Sequence, residues 1–382
     1  MAVRDQLRDV VATHVDAGEL PGAVWAVWGP DGSVRDHAGT FLPGGGGAAV
    51  DDDTVFRLSS TTKPIVAALA MTLVEDGTLT LDGSVEDLLP ELANRRVMIN
   101  GSLTETVPAR RPITVRDVLE FRLGLGMDLS APWPSPLMSA AAAAGLPMGP
   151  PSPQHNPEPD EWMRRLGTLP LACQPGERWL YHTGASVLGV LIARAAGRPL
   201  PDLLEQRLLT PLGMSDTGFG VPATAAGRLG PLWMPAEEGA SPQSFDPADG
   251  QWARSPAFPD AGDGLVSTVR DLTAFARMLA AGGIAGDQRI LSADAVGAMT
   301  TARGGPIDDA GMGWGLGIGV RVRNETGGRH AGSYGWDGGL GTSWWTDPVS
   351  GVIAILFTNQ TWASPQPPPV FVHFWAAAFG GE

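Results

Sequence analysis

The chain has 382 residues, of which 43% are hydrophobic and 18% charged, and it carries a net charge of −15. That supplies enough apolar material for a large core in two or more domains and excludes a disordered tail or low-complexity scaffold. The acidic balance repels phosphate backbones and anionic lipid headgroups, so neither nucleic acid nor a membrane surface is an expected partner.

No apolar run approaches the roughly 18–20 residues of a membrane span, and the first residues lack the basic start and apolar stretch of a secretory signal. A cytoplasmic location is therefore expected. Cys173 is the only cysteine, which excludes an intrachain disulfide and a cysteine-based zinc site. The six histidines lack metal-ligand spacing, so neither a metal nor another cofactor is expected.

In chain order, the spacing predicts a helix over 3–17, with Val3, Leu7, Val10, Val11 and Val15 forming its stripe. A short apolar strand over 23–28 follows. The turn signal Gly29-Pro30-Asp31-Gly32 leads to a hairpin partner over 33–41. A brief strand-like run at 55–58 precedes Ser59-Ser60-Thr61-Thr62-Lys63-Pro64, where a helix starts and continues to about Glu75. Pro64 fits the first turn of that helix, where its missing N–H is not needed. Thr114-Val115-Arg116-Asp117 has the form of a capping box opening another helix.

Residues 127–160, rich in Pro, Ala, Gly and Met, read as a long loop or lid with a short alanine helix. Helices are expected over 184–196, stopped by Gly197; over 201–209, stopped by Pro211; and over 269–281, stopped by Gly282-Gly283. Strands return at 313–322, 342–346 and 352–358. A closing helix over 369–379 carries Phe371, Phe374, Trp375 and Ala378 on one face.

Strands at both ends of the chain can share one antiparallel sheet with the terminal helices on one face. The expected organisation is α+β. Residues 1–80 and 260–382 form a discontinuous sheet domain, and 81–259 a mainly helical domain with the lid at about 127–160.

One count points to chemistry. Among 26 basic residues a single lysine survives, Lys63, and there are only two tyrosines, Tyr181 and Tyr334. A GC-rich genome drifts from Lys to Arg, but a guanidinium cannot be deprotonated in a protein whereas a desolvated ammonium can. Lys63 lies three residues after Ser60 at the start of a predicted helix, so hydroxyl and amine share one face. A serine hydroxyl needs a base to accept its proton, and a lysine serves when burial and neighbours disfavour its charge. Helix N-terminal amides would also favour a developing oxyanion. A G-x-S-x-G elbow is absent, so an α/β-hydrolase reading lacks its nucleophile turn.

Phe56-Arg57-Leu58-Ser59-Ser60-Thr61-Thr62-Lys63-Pro64, with Leu73-Val74-Glu75-Asp76-Gly77 and Leu81-Asp82-Gly83, resembles the class C β-lactamase-related serine hydrolases. This superfamily contains β-lactamases, D-amino-acid peptidases, esterases and acyltransferases. The resemblance spans nearly the whole chain through Gln174–Tyr181, Pro211–Thr217, Gly264–Thr268 and Gly335–Thr342. It implies a β-lactamase-like fold and an acyl-enzyme on Ser60.

In the family's second motif, Tyr-x-Asn, Tyr181-His182-Thr183 stands here. Tyr181 is thereby implied as a proton relay, with His182 as a possible contributor beside it, while Thr183 replaces the amide. Two stretches compete for the third motif. Trp336-Asp337-Gly338 is favoured by its distance from the Asp347-Pro348 turn, and His330-Ala331-Gly332 lies six residues upstream. On the first reading, the Gly339 N–H joins that of Ser60 as an oxyanion donor. A lysine or histidine in that motif pairs with a substrate carboxylate; Trp336 cannot, and Asp337 would repel one. Trp133 and the methionines of 127–148 are candidates to line an apolar acyl pocket.

The expected function is thus an esterase-like serine hydrolase acting on a small-molecule acyl substrate. Ser60, Lys63 and Tyr181 form its catalytic set, and Gly339, Trp336, Asp337, Gly338, His330, His182 and Trp133 are candidates for oxyanion or substrate binding. The alternatives are an acyltransferase that passes the acyl group to an amine or alcohol in secondary metabolism, a β-lactamase or D-amino-acid peptidase, and a non-catalytic ligand-binding module. Tyr334, just ahead of Trp336, is expected close to the same site.

Overall fold

The computed structural model describes residues 3–131, 134–146, 148–235, 242–304 and 307–380. The helix Val3–Asp16 leads into the strands Gly22–Gly29 and Gly32–Leu42, joined by the tight turn at Pro30-Asp31, and then the short strand Gly46–Ala49. The sheet resumes some 260 residues later with Met312–Trp314, Gly319–Arg321, Tyr334–Gly338, Thr342–Asp347 and Val352–Thr358. These eight strands form one antiparallel sheet, in which Val352–Thr358 pairs directly with Gly22–Gly29. In register, Val24 faces Phe357 and Ala26 faces Ile355.

Side chains alternate across the sheet, and both faces are covered. On one face Ala23, Trp25, Val27, Trp345, Ala354 and Leu356 pack with Leu7 and Val11 of the first helix and with Phe371, Phe374 and Trp375 of the closing helix, Pro369–Phe379. On the other, Val24, Ala26, Trp344, Ile353, Ile355 and Phe357 join the main core. A strand buried on both sides reads as an unbroken apolar run, which is why Val352–Thr358 shows no polar alternation.

The long excursion between the two strand groups carries the helices. At its centre lies Thr62–Glu75, buried on nearly all sides. A helix that is apolar all round belongs in a core, and this one anchors its N-terminus beneath the end of the sheet. Thr114 caps Val115–Leu119 as expected: its hydroxyl accepts from the Asp117 N–H while the Asp117 carboxylate accepts from the Thr114 N–H. The Ala-rich segment forms the helix Pro136–Ala143, capped by the Ser135 hydroxyl.

Two expectations are corrected. The run 313–322 is not one strand but two, Met312–Trp314 and Gly319–Arg321, paired with each other. The break comes at Gly317, with φ of +78°, where a Cβ would fall 2.2 Å from Ala67 of the central helix. The second is that Pro211 does not stop the helix beginning at Leu200. A π-helical turn over Glu205–Leu209 widens the backbone ahead of the proline, and the run ends at Gly213, φ +66°. Widening relieves the ring's clash with the carbonyl four residues back. The sequence reading also missed the hairpin Arg96–Ile99/Ser102–Pro108 and the helix Ala293–Met299. Among the described residues, no helix is long and apolar enough to cross a membrane.

Candidate active site

The central helix begins at Thr62, within the stretch its pattern implied and with Pro64 in its first turn. Ser59–Thr61 form a 3-10 turn that leads into Thr62. In such a turn side chains three apart eclipse one another, which brings Ser60 and Lys63 together. Ser59 holds φ at +47°, a left-handed conformation that is uncommon for a residue with a side chain.

The turn is pinned from two sides. Leu58 donates its N–H to the Leu265 carbonyl at 2.8 Å. The Thr342 hydroxyl donates to the Leu58 carbonyl at 2.8 Å and lies 2.9 Å from the Thr61 hydroxyl. The start of the strand Thr342–Asp347 is thereby clamped against the nucleophile turn. A Cβ at Gly338 would fall 2.2 Å from the Leu58 carbonyl oxygen, so only glycine fits there. Gly339 follows at once in the turn, its carbonyl accepting from the Trp362 N–H at 2.8 Å.

Lys63 is 1% exposed. Its Nζ lies 2.8 Å from Ser60 Oγ, 2.6 Å from the Gly262 carbonyl oxygen and 3.4 Å from His182 Nδ1. It also sits over the Tyr181 ring, 4.7 Å from its centroid. The Tyr181 hydroxyl accepts the indole N–H of Trp336 at 2.8 Å. Trp179, Phe121 and Trp336 enclose the tyrosine ring at centroid separations of 5.5, 6.0 and 5.8 Å, and Trp314 packs edge-on against Trp336. The tyrosine thus meets Lys63 through its face and Trp336 through its oxygen.

Behind Lys63 lies a buried acidic pair that the sequence reading did not single out. Asp260 accepts from the Ser186 hydroxyl at 2.8 Å and the Gly262 N–H at 2.7 Å, which fixes the loop whose carbonyl holds Lys63. An oxygen of Asp263 lies 3.9 Å from His182 Nε2. Burial pushes both carboxyl pKa values up, and the proximity of Asp260 raises that of Asp263 further. Burial, reinforced by the adjacent Lys63 charge, lowers the His182 pKa to about 3. His182, Asp260 and Asp263 are the one trio of potential metal ligands found among the described residues. One Asp260 oxygen is already committed to two donors.

The remaining candidates separate. Trp336 and Gly338 lie in the site. Asp337 does not face it: strand alternation turns its side chain to the opposite face, where it accepts the Trp345 indole N–H at 2.9 Å. The expected repulsion of a substrate carboxylate by Asp337 is therefore withdrawn. His330 lies beyond the far end of that strand, with Nδ1 2.6 Å from an Asp347 oxygen. Although burial opposes it, this bond and a backbone N–H hold the Asp347 carboxyl below its usual range. The His330-Ala331-Gly332 alternative is thus set away from the nucleophile turn, because the five-residue strand Tyr334–Gly338 lies between the two.

Thr183, in the place of the expected asparagine, turns its hydroxyl to the Met148 sulfur rather than to Lys63. Tyr334 is buried against Trp344 and lines a separate groove of about 720 Å³ with Trp28 and Arg277, so its expected closeness to the site is also corrected. Trp133 lies outside the described residues.

The family model described as Beta-lactamase matches residues 7–367. Among curated relatives, Protein Rv1367c of Mycobacterium tuberculosis is 34% identical over 90% of this chain and 87% of its own. Esterase EstB of Burkholderia gladioli is 30% identical over 81% and 79%, respectively. Among solved structures, EstCE1, a hydrolase with promiscuous acyltransferase activity, superposes with a TM-score of 0.80 at 23% identity, covering 99% of this chain and 98% of that one. A mutant simvastatin synthase from Aspergillus terreus gives 0.79 at 21%, covering 98% and 94%. At these identities the two structures speak for the fold, which is β-lactamase-like.

Proposed function

The chain belongs to the Beta-lactamase family, and from that premise we propose that it is a serine hydrolase of uncharged carboxylic esters that works through an acyl-Ser60 intermediate. The observation that carries this reading is the contact of 2.8 Å between a lysine amine, 1% exposed, and the Ser60 hydroxyl. The neutral amine of Lys63 takes the Ser60 proton as Oγ bonds to the ester carbonyl carbon. The Ser60 and Gly339 N–H groups hold the oxyanion. The carbon–oxygen bond to the alcohol then breaks, and the alcohol leaves with a proton from the Lys63–Tyr181 pair. Water repeats the sequence on the acyl-enzyme and releases the acid.

The preference for uncharged acyl groups rests on Trp336. It supplies an N–H to Tyr181 where a lysine or histidine would offer a cation to a substrate carboxylate. Esterase EstB and the lovastatin esterase of Penicillium rubens, 30% and 27% identical, carry esterase activity in their names.

A second reading keeps the acyl-enzyme and replaces water by an alcohol or amine. Its support is the likeness to monacolin J acid methylbutanoyltransferase of Aspergillus terreus, 30% identical over 44% of this chain. Intact-mass spectrometry across ester, amide and β-lactam substrates tests both readings. An acyl adduct on Ser60 from simple esters is expected, and its absence in the presence of turnover overturns the assignment. Product partitioning that follows added nucleophile favours transfer.

A further inference from the structure

The neutral amine of a lysine has two N–H donors and one lone pair. Around Lys63 Nζ stand three polar atoms: the Gly262 carbonyl oxygen at 2.6 Å, His182 Nδ1 at 3.4 Å and Ser60 Oγ at 2.8 Å. The carbonyl can only accept. If His182 Nδ1 also accepts, both N–H groups are used and the lone pair is left facing the one hydroxyl that must lose a proton. We propose that His182 is the positioning residue that aims the Lys63 lone pair at Ser60, and that Asp263 holds His182 in the tautomer this requires. The inference rests on the acyl-Ser60 reading above.

Three observations support it. The first is polarity. His182 Nε2 faces an Asp263 oxygen at 3.9 Å while Nδ1 faces the amine. That separation is longer than a hydrogen bond, and a carboxylate at this range acts through its field, which favours the proton on the nearer ring nitrogen and leaves the other as acceptor.

The second is backbone geometry. His182 has φ +80° and ψ −65°, and the Thr183 N–H bonds to the Tyr181 carbonyl across it at 3.1 Å. This is the rare γ-turn of positive φ, a strained form. Such outliers persist where the surroundings over-determine them. The turn lets adjacent residues reach the same amine, Tyr181 with its ring face and His182 with a nitrogen.

The third is fit. Gly262, whose carbonyl is the other fixed acceptor, is tightly enclosed. A Cβ there would lie 3.0 Å from an Asp260 oxygen, 3.1 Å from His182 Cε1 and 3.2 Å from the Ser186 hydroxyl. Both acceptors of Lys63 are therefore packed against each other, and Asp260 fixes the Gly262 backbone through its N–H.

The test compares His182→Asn with His182→Gly, alone and combined with Asp263→Ala. Asparagine places an amide oxygen where Nδ1 was and tolerates positive φ; glycine tolerates the turn but offers no acceptor. The readouts are the rate of fluorophosphonate labelling at Ser60, and kcat and KM on a p-nitrophenyl ester, with thermal melting to confirm the fold. Expected are kcat and labelling rate within about threefold of the parent for H182N, a loss of roughly 10- to 100-fold for H182G, and KM little changed in both. Asp263→Ala should lower the rate in the parent, where it frees the tautomer, and have little further effect in H182N, which has no tautomer to fix. Parent-like labelling by H182G, or an equal loss from Asp263→Ala in both backgrounds, overturns the proposal. A parent protein that turns over ester but is not labelled at Ser60 overturns the acyl-Ser60 reading itself, a distinct outcome.

Discussion

Trp336 donates its indole N–H to the Tyr181 hydroxyl across 2.8 Å, and so joins the sheet strand to the residue that leads into the helix Thr183–Ala196. That bond occupies one acceptor position of the hydroxyl and leaves its own O–H free to donate elsewhere. Trp336→Phe keeps most of the ring packing against Trp314 and Tyr181 but removes this bond, whose net worth is about 1–1.5 kcal/mol. A fall in kcat of about tenfold on neutral esters is expected, with the melting temperature lowered by no more than about 2–4 °C. Unaltered kcat would leave Trp336 a packing residue only.

Lys63→Arg places a guanidinium that cannot accept a proton, and the larger group must fit where Lys63 is 1% exposed. Ser60→Ala removes the nucleophile. Each substitution is expected to lower kcat/KM by about 10²–10⁴-fold or more. Ser60→Ala must also abolish covalent labelling, and intact mass after incubation with substrate checks this directly.

His182 gives the fold a definite acid sensitivity. Its pKa is depressed from 6.5 to about 3, first by burial and then by the Lys63 charge. The unfolded chain therefore binds a proton at this site between those values while the native protein does not. Stability from this residue is complete above about pH 6.5 and is lost as pH falls towards 3, at up to about 1.4 kcal/mol per pH unit. Other carboxyl groups titrate in the same range, so denaturant unfolding of the parent is compared with His182→Asn at several pH values. The difference between the two should shift in favour of H182N as pH falls from 6.5 to 4, and a constant difference would contradict the assignment.

The second residue of the nucleophile motif is structural. Arg57 is 4% exposed and donates to Asp246 through Nε at 2.8 Å and Nη2 at 2.6 Å, and to the carbonyls of Gly230 and Pro247. Burial lowers its pKa, and Asp246 opposes the shift. Asp246→Ala leaves this cation without its partner. A loss of about 3–5 kcal/mol is expected, seen in urea unfolding, with the specific activity of the folded fraction at low temperature largely kept.

How much of this was legible in advance follows from the range of each interaction. The terminal helices, the first hairpin, the Thr114 capping box and the Ser60–Lys63 pair depend on neighbours within a few residues, and all were readable. Pro211 misled because a helix can absorb a proline by widening ahead of it, which no local rule for proline anticipates. The run 313–322 misled because its break is imposed by Ala67, far away in sequence. Asp337 was placed in the site by its position in a motif, yet the alternation of a strand turns adjacent side chains to opposite faces. The pair Asp260 and Asp263 carried no signal beyond an acidic loop. Their meaning depends on Lys63 and His182, supplied by segments about 200 and 80 residues earlier.

The sequence by itself determined the chemistry available: one lysine at the spacing that presents its amine to a serine, one tyrosine in the matching motif, and a tryptophan where a cation could stand. Spacing of three residues along a helical turn is a local constraint and survives any tertiary context. Only the tertiary structure decided what each of these groups touches. Tyr181 meets Trp336 rather than bonding Ser60, His330 is spent on Asp347, and the acceptors that surround Lys63 come from Gly262 and His182. Those contacts join separate parts of the chain through a sheet and a packed core. Their geometry is set by burial and register, which a one-dimensional pattern does not contain.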